Sequence, residues 1–167
     1  GGTIDVESEP GQGSCFEVLI DLRIAEDKTD SLASQSEKKE PDVNRLQGMR
    51  FLCAEDNELN AEILKELLRI EGPECTICEN GEKVLEAFEQ SVPGDYNMIL
   101  MDVQMPVMNG YEATMAIRKS SHELAKTIPI IAMTANAFSE DIQRSLAAGM
   151  NAHISKPVDM KMLKKTI

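Results

Sequence analysis

The sequence predicts a doubly wound α/β domain of five parallel strands, preceded by a short β-hairpin and a tether. Three observations carry this. Short apolar runs alternate five times with helix-period stretches between residues 50 and 167, the pattern of a parallel sheet covered on both faces. Each apolar run stops at a polar or charged residue followed by turn formers, as in M-I-L-M-D-V-Q-M-P-V-M-N-G. The 27–48 stretch has no aromatic residue and only scattered apolar ones, too few to offset the entropy of ordering it.

In order, residues 1–23 read as a hairpin. Ile4 and Val6 alternate with polar neighbours, as do Phe16, Val18, Ile20 and Leu22, around the turn E-P-G-Q-G. An isolated hairpin is marginal in water, so it is expected to belong to a larger domain, and Gly1-Gly2-Thr3 to lie inside a longer protein. Residues 24–48 are expected to be a flexible linker. The main domain is expected over 49–167. Its strands are expected at 51–54, 75–78, 98–101, 128–133 and 152–155. Helices are expected over 58–71, 82–90, 110–119 and from an N-cap at Ser139 to Gly149. A last helix begins near Asp159 and is expected to be cut short at Ile167.

Five strands in so short a span suit the flavodoxin-like order 2-1-3-4-5, with its switch point between strands one and three. That order gathers five side chains on one sheet edge. Glu55 and Asp56 leave strand one, Asp102 leaves strand three, Thr134 strand four and Lys156 strand five. Three carboxylates so close repel one another, and a hard cation with oxygen ligands relieves this. Magnesium suits Asp56 and Asp102 as direct ligands, Glu55 through a water and the backbone carbonyl of Gln104. Lys156 supplies a compact positive charge and Thr134 a hydroxyl donor. A carboxylate nucleophile, a metal, an ammonium and a hydroxyl around one point suit in-line phosphoryl transfer.

Net charge is −12, from 29 acidic and 17 basic residues, so binding to nucleic-acid backbones is not expected. No apolar stretch approaches a membrane span, and no direct membrane contact by this fragment is expected. Cys75-Thr76-Ile77-Cys78 matches C-x-x-C. On a strand, residues three apart face opposite ways, so these thiols are expected to be packing residues in a reducing cytoplasm. His122, in a polar connection, is expected to be solvated. Leu59 falls off the core stripe of its helix beside the acidic pair. With Val158, it is a candidate docking spot for a partner helix.

The stretches F-L-C-A-E-D-N, M-I-L-M-D-V-Q-M-P-V-M-N-G, I-I-A-M-T-A-N-A and H-I-S-K-P resemble the receiver domain of two-component signalling. G-G-T-I-D-V-E-S-E-P-G-Q-G-S-C-F resembles the end of the ATP-binding domain of sensor histidine kinases. The whole is similar to the C-terminal part of a hybrid sensor histidine kinase. This resemblance implies that Asp102 accepts a phosphoryl group from a phosphohistidine, that Glu55 and Asp56 hold magnesium, and that Lys156 and Thr134 contact the phosphoryl group. It implies a cis Lys156–Pro157 bond and a switch role for His153, three residues before the lysine. Gln104 and Asn136 would overlook the acyl phosphate and modulate its hydrolysis. The implied partners are the histidine kinase core of the same parent and a histidine phosphotransfer protein. Kinase nucleotide boxes are absent, so this fragment should catalyse only its own aspartyl phosphorylation and dephosphorylation. Any membrane anchor of the parent would lie in segments outside it. The competing reading is a pseudo-receiver acting only as an interaction module, which a missing acidic or lysine position would favour. A dehalogenase-type phosphatase would need D-x-D at the first strand, where Glu55-Asp56-Asn57-Glu58 stands.

Overall fold

The computed structural model describes residues 2–9, 11–20, 46–135 and 139–167. The chain divides into two units, Gly1–Lys39 and Glu40–Ile167. In the first, β1 (Gly2–Glu9) and β2 (Gly13–Ile20) form an antiparallel hairpin. Its register sets Ile4 opposite Val18 and Val6 opposite Phe16. Gly11 and Gly13 take positive φ in the turn, which Gln12 closes by donating its N–H to the Glu9 carbonyl at 3.0 Å. Ile4, Val6, Phe16 and Val18 are each more than half exposed, since two strands alone cannot bury the face they share.

The second unit alternates strand and helix. It runs β3 (Arg50–Ala54), α1 (Glu58–Glu71), β4 (Glu74–Cys78), α2 (Gly81–Glu89), β5 (Met98–Asp102) and α3 (Gly110–Lys119), then β6 (Ile130–Thr134), α4 (Ser139–Ala148), β7 (Ala152–Ser155) and α5 (Met160–Thr166). All four pairings are parallel, in the order β4-β3-β5-β6-β7. This is the expected 2-1-3-4-5 arrangement. The strands alternate between two cores. Leu52, Ile99, Met101 and Ile130 pack with Val84 and Phe88 of α2 and Ile117 of α3 on one face. Phe51, Leu100, Ile131 and Met133 pack with Leu64 and Leu68 of α1 and Leu163 of α5 on the other. Each such fully buried side chain contributes about 1.5–3 kcal/mol.

The helices start and stop where local chemistry directs. Asn57, Asn80 and Asp159 cap α1, α2 and α5 through their side chains. Asn109 and Glu112 form a reciprocal capping box on α3. Gly72 and Gly149 end α1 and α4 at φ of 101°, a region costly for any residue with a Cβ. Helix α4 begins on Ser139 itself, so Ser139 is the first helical residue rather than the expected cap. The fourth strand starts at Ile130 rather than 128, because Pro129 has no N–H to give the ladder.

The expected linker lies largely outside the described residues. Its last apolar residue, Leu46, is instead fully buried in the core with Phe51 and Leu68. His122 is not merely solvated. It packs against Phe88 in a tilted ring contact with centroids 4.2 Å apart, and its Nδ1 accepts the Leu124 N–H at 3.1 Å. That leaves Nε2–H to donate to the Ser91 carbonyl at 3.1 Å. Cys75 and Cys78 do face opposite cores, and all four cysteines are free thiols. Cys75 instead meets Cys53 on the neighbouring strand. A hydrogen bond from Cys53 holds its thiol down to about 7, helped by Lys65 and opposed by burial.

Candidate functional site

The site forms where β3, β5, β6 and β7 end together. Glu55 follows β3 and Asp102 closes β5. Both are buried, with side chains 3% and 6% exposed. Lys156 follows β7 and is drawn to this edge by its N–H, which donates to the Thr134 carbonyl at 2.8 Å. Its bond to Pro157 is cis. The Lys156 ammonium bridges two carboxylates, at 2.6 Å from Glu55 Oε2 and 2.6 Å from Asp102 Oδ2. Asn60, one turn into α1, donates from Nδ2 to Glu55 Oε1 at 3.0 Å. The Gln104 N–H donates to Asp102 Oδ1 at 3.2 Å. Every oxygen of the two buried carboxylates therefore has a donor.

The loop after β5 is shaped by close backbone approach. A Cβ on Gly110 would lie 2.2 Å from the Asp102 carbonyl oxygen, so only glycine lets α3 start over the end of β5. A Cβ on Gly81 would lie 2.6 Å from the Met108 carbonyl, to which the Gly81 N–H donates at 3.1 Å. Between them, Val107 is at φ 68° and the Met108 N–H bonds back to the Pro106 carbonyl at 2.8 Å. A three-residue turn of this hand is strained for a β-branched residue.

Residues 51–167 match the family described as "Response regulator receiver domain". The chain belongs to that family. Hybrid signal transduction histidine kinase I of Dictyostelium discoideum is 38% identical to it over 120 residues, 71% of this chain and 7% of that protein. The osmosensing histidine protein kinase SLN1 of Saccharomyces cerevisiae is 39% identical over 129 residues, 75% of this chain and 10% of that protein. The chain thus spans a small part of the length of these kinases. Among solved structures, the receiver domain of a Pseudomonas aeruginosa sensor histidine kinase has a magnesium ion coordinated in its active-site cleft. It superposes with a TM-score of 0.63 at 36% identity, covering 71% of this chain and 93% of that one. The receiver domain of Saccharomyces cerevisiae Ssk1, solved with the histidine phosphotransfer protein Ypd1, superposes with a TM-score of 0.63 at 29% identity. That match covers 73% and 88% of the two chains.

In this receiver domain, one oxygen each of Glu55, Asp56 and Asp102 lie within 4.8 Å of one another. Three acidic groups stand beside one ammonium, which pairs with Glu55 and Asp102 but not with Asp56, so the site carries an excess of negative charge. Burial pushes the Asp102 carboxyl above its ordinary value, against the pull of Lys156 and the Gln104 N–H, with Glu55 adding to the rise. Burial opposes charge on Lys156, but its bonds to Asp102 and Glu55 together outweigh that and hold the amine above the ordinary lysine range. Hard oxygen ligands, a spare negative charge and an open cavity of about 270 Å³ beside them fit a divalent cation. Gln104, Tyr111, Thr134, Asp141 and Lys156 line that cavity.

Of the residues named from sequence, Glu55, Asp56, Asp102, Gln104, Thr134 and Lys156 come together here. Asn136 lies outside the described residues. His153 is half-buried on β7, with Ala132 of β6 as its register partner. Leu59 is 68% exposed on α1. Val158 lines a separate apolar groove of about 340 Å³ with Ile63, Leu67 and Pro157, whose polar end is Glu55, Asn60 and Lys156. Sequence reasoning passed over Asn60, Tyr111 and Asp141. The Asn57 cap fixes Asn60 one turn into α1, which is the single signal that could have placed it. No helix among the described residues is long and apolar enough to cross a membrane.

Proposed function

We propose that this chain is the phosphoacceptor part of a hybrid histidine kinase in a two-component phosphorelay. Asp102 takes a phosphoryl group from a phosphohistidine and passes it to or from a histidine phosphotransfer protein. One observation carries the reading: the Lys156 ammonium holds Glu55 and Asp102 at the C-terminal sheet edge, with Asp56 beside them.

In the transfer, an Asp102 carboxylate oxygen forms the new P–O bond as the P–N bond to the donor imidazole breaks. Glu55, Asp56, Asp102 and the Gln104 carbonyl would hold magnesium. The ion would supply charge neutralisation for the phosphoryl oxygens. Lys156 is the protein's own cation for those oxygens and can trade its Asp102 bond for one to them. Thr134 supplies a hydroxyl, and its engagement with His153 forms the switch. Gln104 and Asn136 set how readily water reaches the acyl phosphate. A pseudo-receiver is not favoured, since no acidic or lysine position is missing. Leu59, with Val158 in the adjoining groove, would dock the phosphotransfer partner. Leu59→Asp should then slow transfer from the partner but not from a small phosphodonor, and equal rates would remove Leu59 from that role.

The hairpin, residues 1–23, would be the end of the parent kinase's ATP-binding domain, residues 24–48 the tether, and 49–167 the receiver. The fragment catalyses only its own aspartyl phosphorylation and dephosphorylation, in the cytoplasm. Intact-mass spectrometry after incubation with acetyl phosphate tests the reading. A phosphoryl adduct should form with magnesium and be absent with chelator and in Asp102→Asn. An unchanged mass under conditions that label a control receiver would support the pseudo-receiver instead.

A further inference from the structure

The cavity beside Asp102 has a wall that the phosphoacceptor chemistry does not use. Tyr111, in the first turn of α3, and Asp141, in the first turn of α4, both line it. They also both line a second cavity of about 400 Å³ that continues outward past Gln104 and Arg144. The Tyr111 hydroxyl is sealed from solvent and has no hydrogen-bond partner. Among the described residues the only other such side-chain atom is the hydroxyl of Thr114, one turn along the same helix. A buried hydroxyl left unmatched carries its full desolvation penalty. Asp141 is half-buried, and its carboxylate has no hydrogen-bond or ion-pair partner among the described residues. The unloaded receiver thus holds an unmatched donor on α3 and an unmatched anionic acceptor on α4, two helices that pack together, in residues that both line its reaction cavity.

We propose that Tyr111 is a positioning residue of the loaded state: its hydroxyl donates to the Asp141 carboxylate only when a phosphoryl anion occupies the cavity. The physical reason is charge. A phosphoryl group on Asp102 places new negative charge in a cavity that already has four carboxylates on its wall, Glu55, Asp56, Asp102 and Asp141. Glu55 and Asp102 share Lys156, and Asp56 stands with them in the acidic cluster that fits a cation. Asp141 belongs to neither arrangement. It is the carboxylate free to swing away, and Tyr111, on the helix packed against α4, holds the spare buried donor that can receive it. The bond then draws the first turn of α4 toward α3 in the loaded state alone. This inference rests on the phosphoacceptor reading of the site.

The test uses the whole 167-residue chain and beryllium fluoride with saturating magnesium as the phosphoryl mimic. Binding is followed by titration calorimetry and free-state stability by urea unfolding in chelator. Tyr111→Phe should leave free-state stability unchanged or raised, because the lost hydroxyl had no partner. It should weaken beryllium fluoride binding about tenfold, the value of one hydrogen bond to a charged group. In an Asp141→Ala background the same Tyr111→Phe change should alter binding by less than about twofold, since the acceptor is already gone. Equal binding by wild type and Tyr111→Phe would overturn the inference and leave the phosphoacceptor reading standing. So would a Tyr111→Phe loss of the same size in the Asp141→Ala background. A fall in free-state stability that accounts for the binding loss would make Tyr111 a packing residue and also overturn it. Failure of the wild type itself to bind beryllium fluoride would overturn the phosphoacceptor reading and this inference with it.

Discussion

Replacing Lys156 by methionine keeps the aliphatic stem and removes the one cation that touches both buried carboxylates. The ammonium lies 2.6 Å from Glu55 and 2.6 Å from Asp102, whose side chains are 3% and 6% exposed. Breaking a buried pair by deleting one partner costs about 3–5 kcal/mol, because the other charge is left uncompensated. The Lys156 side chain is 22% exposed, so water moderates the loss, and about 2–3 kcal/mol is the expected cost in chelator. For a domain of this size that lowers Tm by about 10 °C. Magnesium should then act more strongly on the variant than on the wild type. A ligand at a hundred times its Kd adds about 2.7 kcal/mol, and the site without its ammonium attracts the cation more. Thermal and urea unfolding, each in chelator and in magnesium, measure both effects. A Lys156→Met protein within about 0.5 kcal/mol of wild type in chelator would refute the reasoning. A smaller magnesium shift in the variant would do the same.

Asp102→Asn should change the pH dependence of metal-free stability. Burial raises the Asp102 carboxyl above its ordinary 3.8, so the native state binds its proton more readily than the unfolded chain. The stability it contributes is fully present below 3.8 and is lost as pH rises through the raised value. Urea unfolding in chelator should therefore show wild type losing ground to Asp102→Asn as pH rises through that window, and parallel curves would count against it. Val107→Gly should stabilise the protein by about 1 kcal/mol in chemical denaturation, because it relieves a β-branched residue at φ 68°. Arg118→Met should cost about 2–3 kcal/mol in the same assay. It removes a half-buried guanidinium that donates to the Gly149, Ala125 and Ile128 carbonyls and to Asn151.

The sheet was legible because its three central strands are short apolar runs, buried almost throughout, which a two-sided parallel sheet accommodates. The acidic edge was legible because each run ends on the residue that matters, and topology alone brings Glu55, Asp102 and Lys156 together. What stayed hidden depends on contacts between distant turns. Nothing in the local pattern around Arg118 tells that its guanidinium staples the connection after α3 to the end of α4, or that His122 lies on Phe88. C-x-x-C spacing suggested a pair that the pleat separates, while Cys75, opposite Phe51 in the register, meets Cys53 diagonally on the same face. Leu46 looked like tether because a single apolar residue among polar ones has no period to betray it. Tyr111 and Asp141 escaped notice because α3 and α4 face each other only after both connections have turned.

The central claim is that the carboxylate of Asp102 itself carries the phosphoryl group. Reduction with borohydride after acetyl phosphate treatment in magnesium converts an aspartyl phosphate to homoserine, and peptide mass spectrometry locates it. The account predicts homoserine at position 102 and at no other aspartate. Homoserine elsewhere, or intact Asp102 in a protein that has gained a phosphoryl adduct, would contradict it.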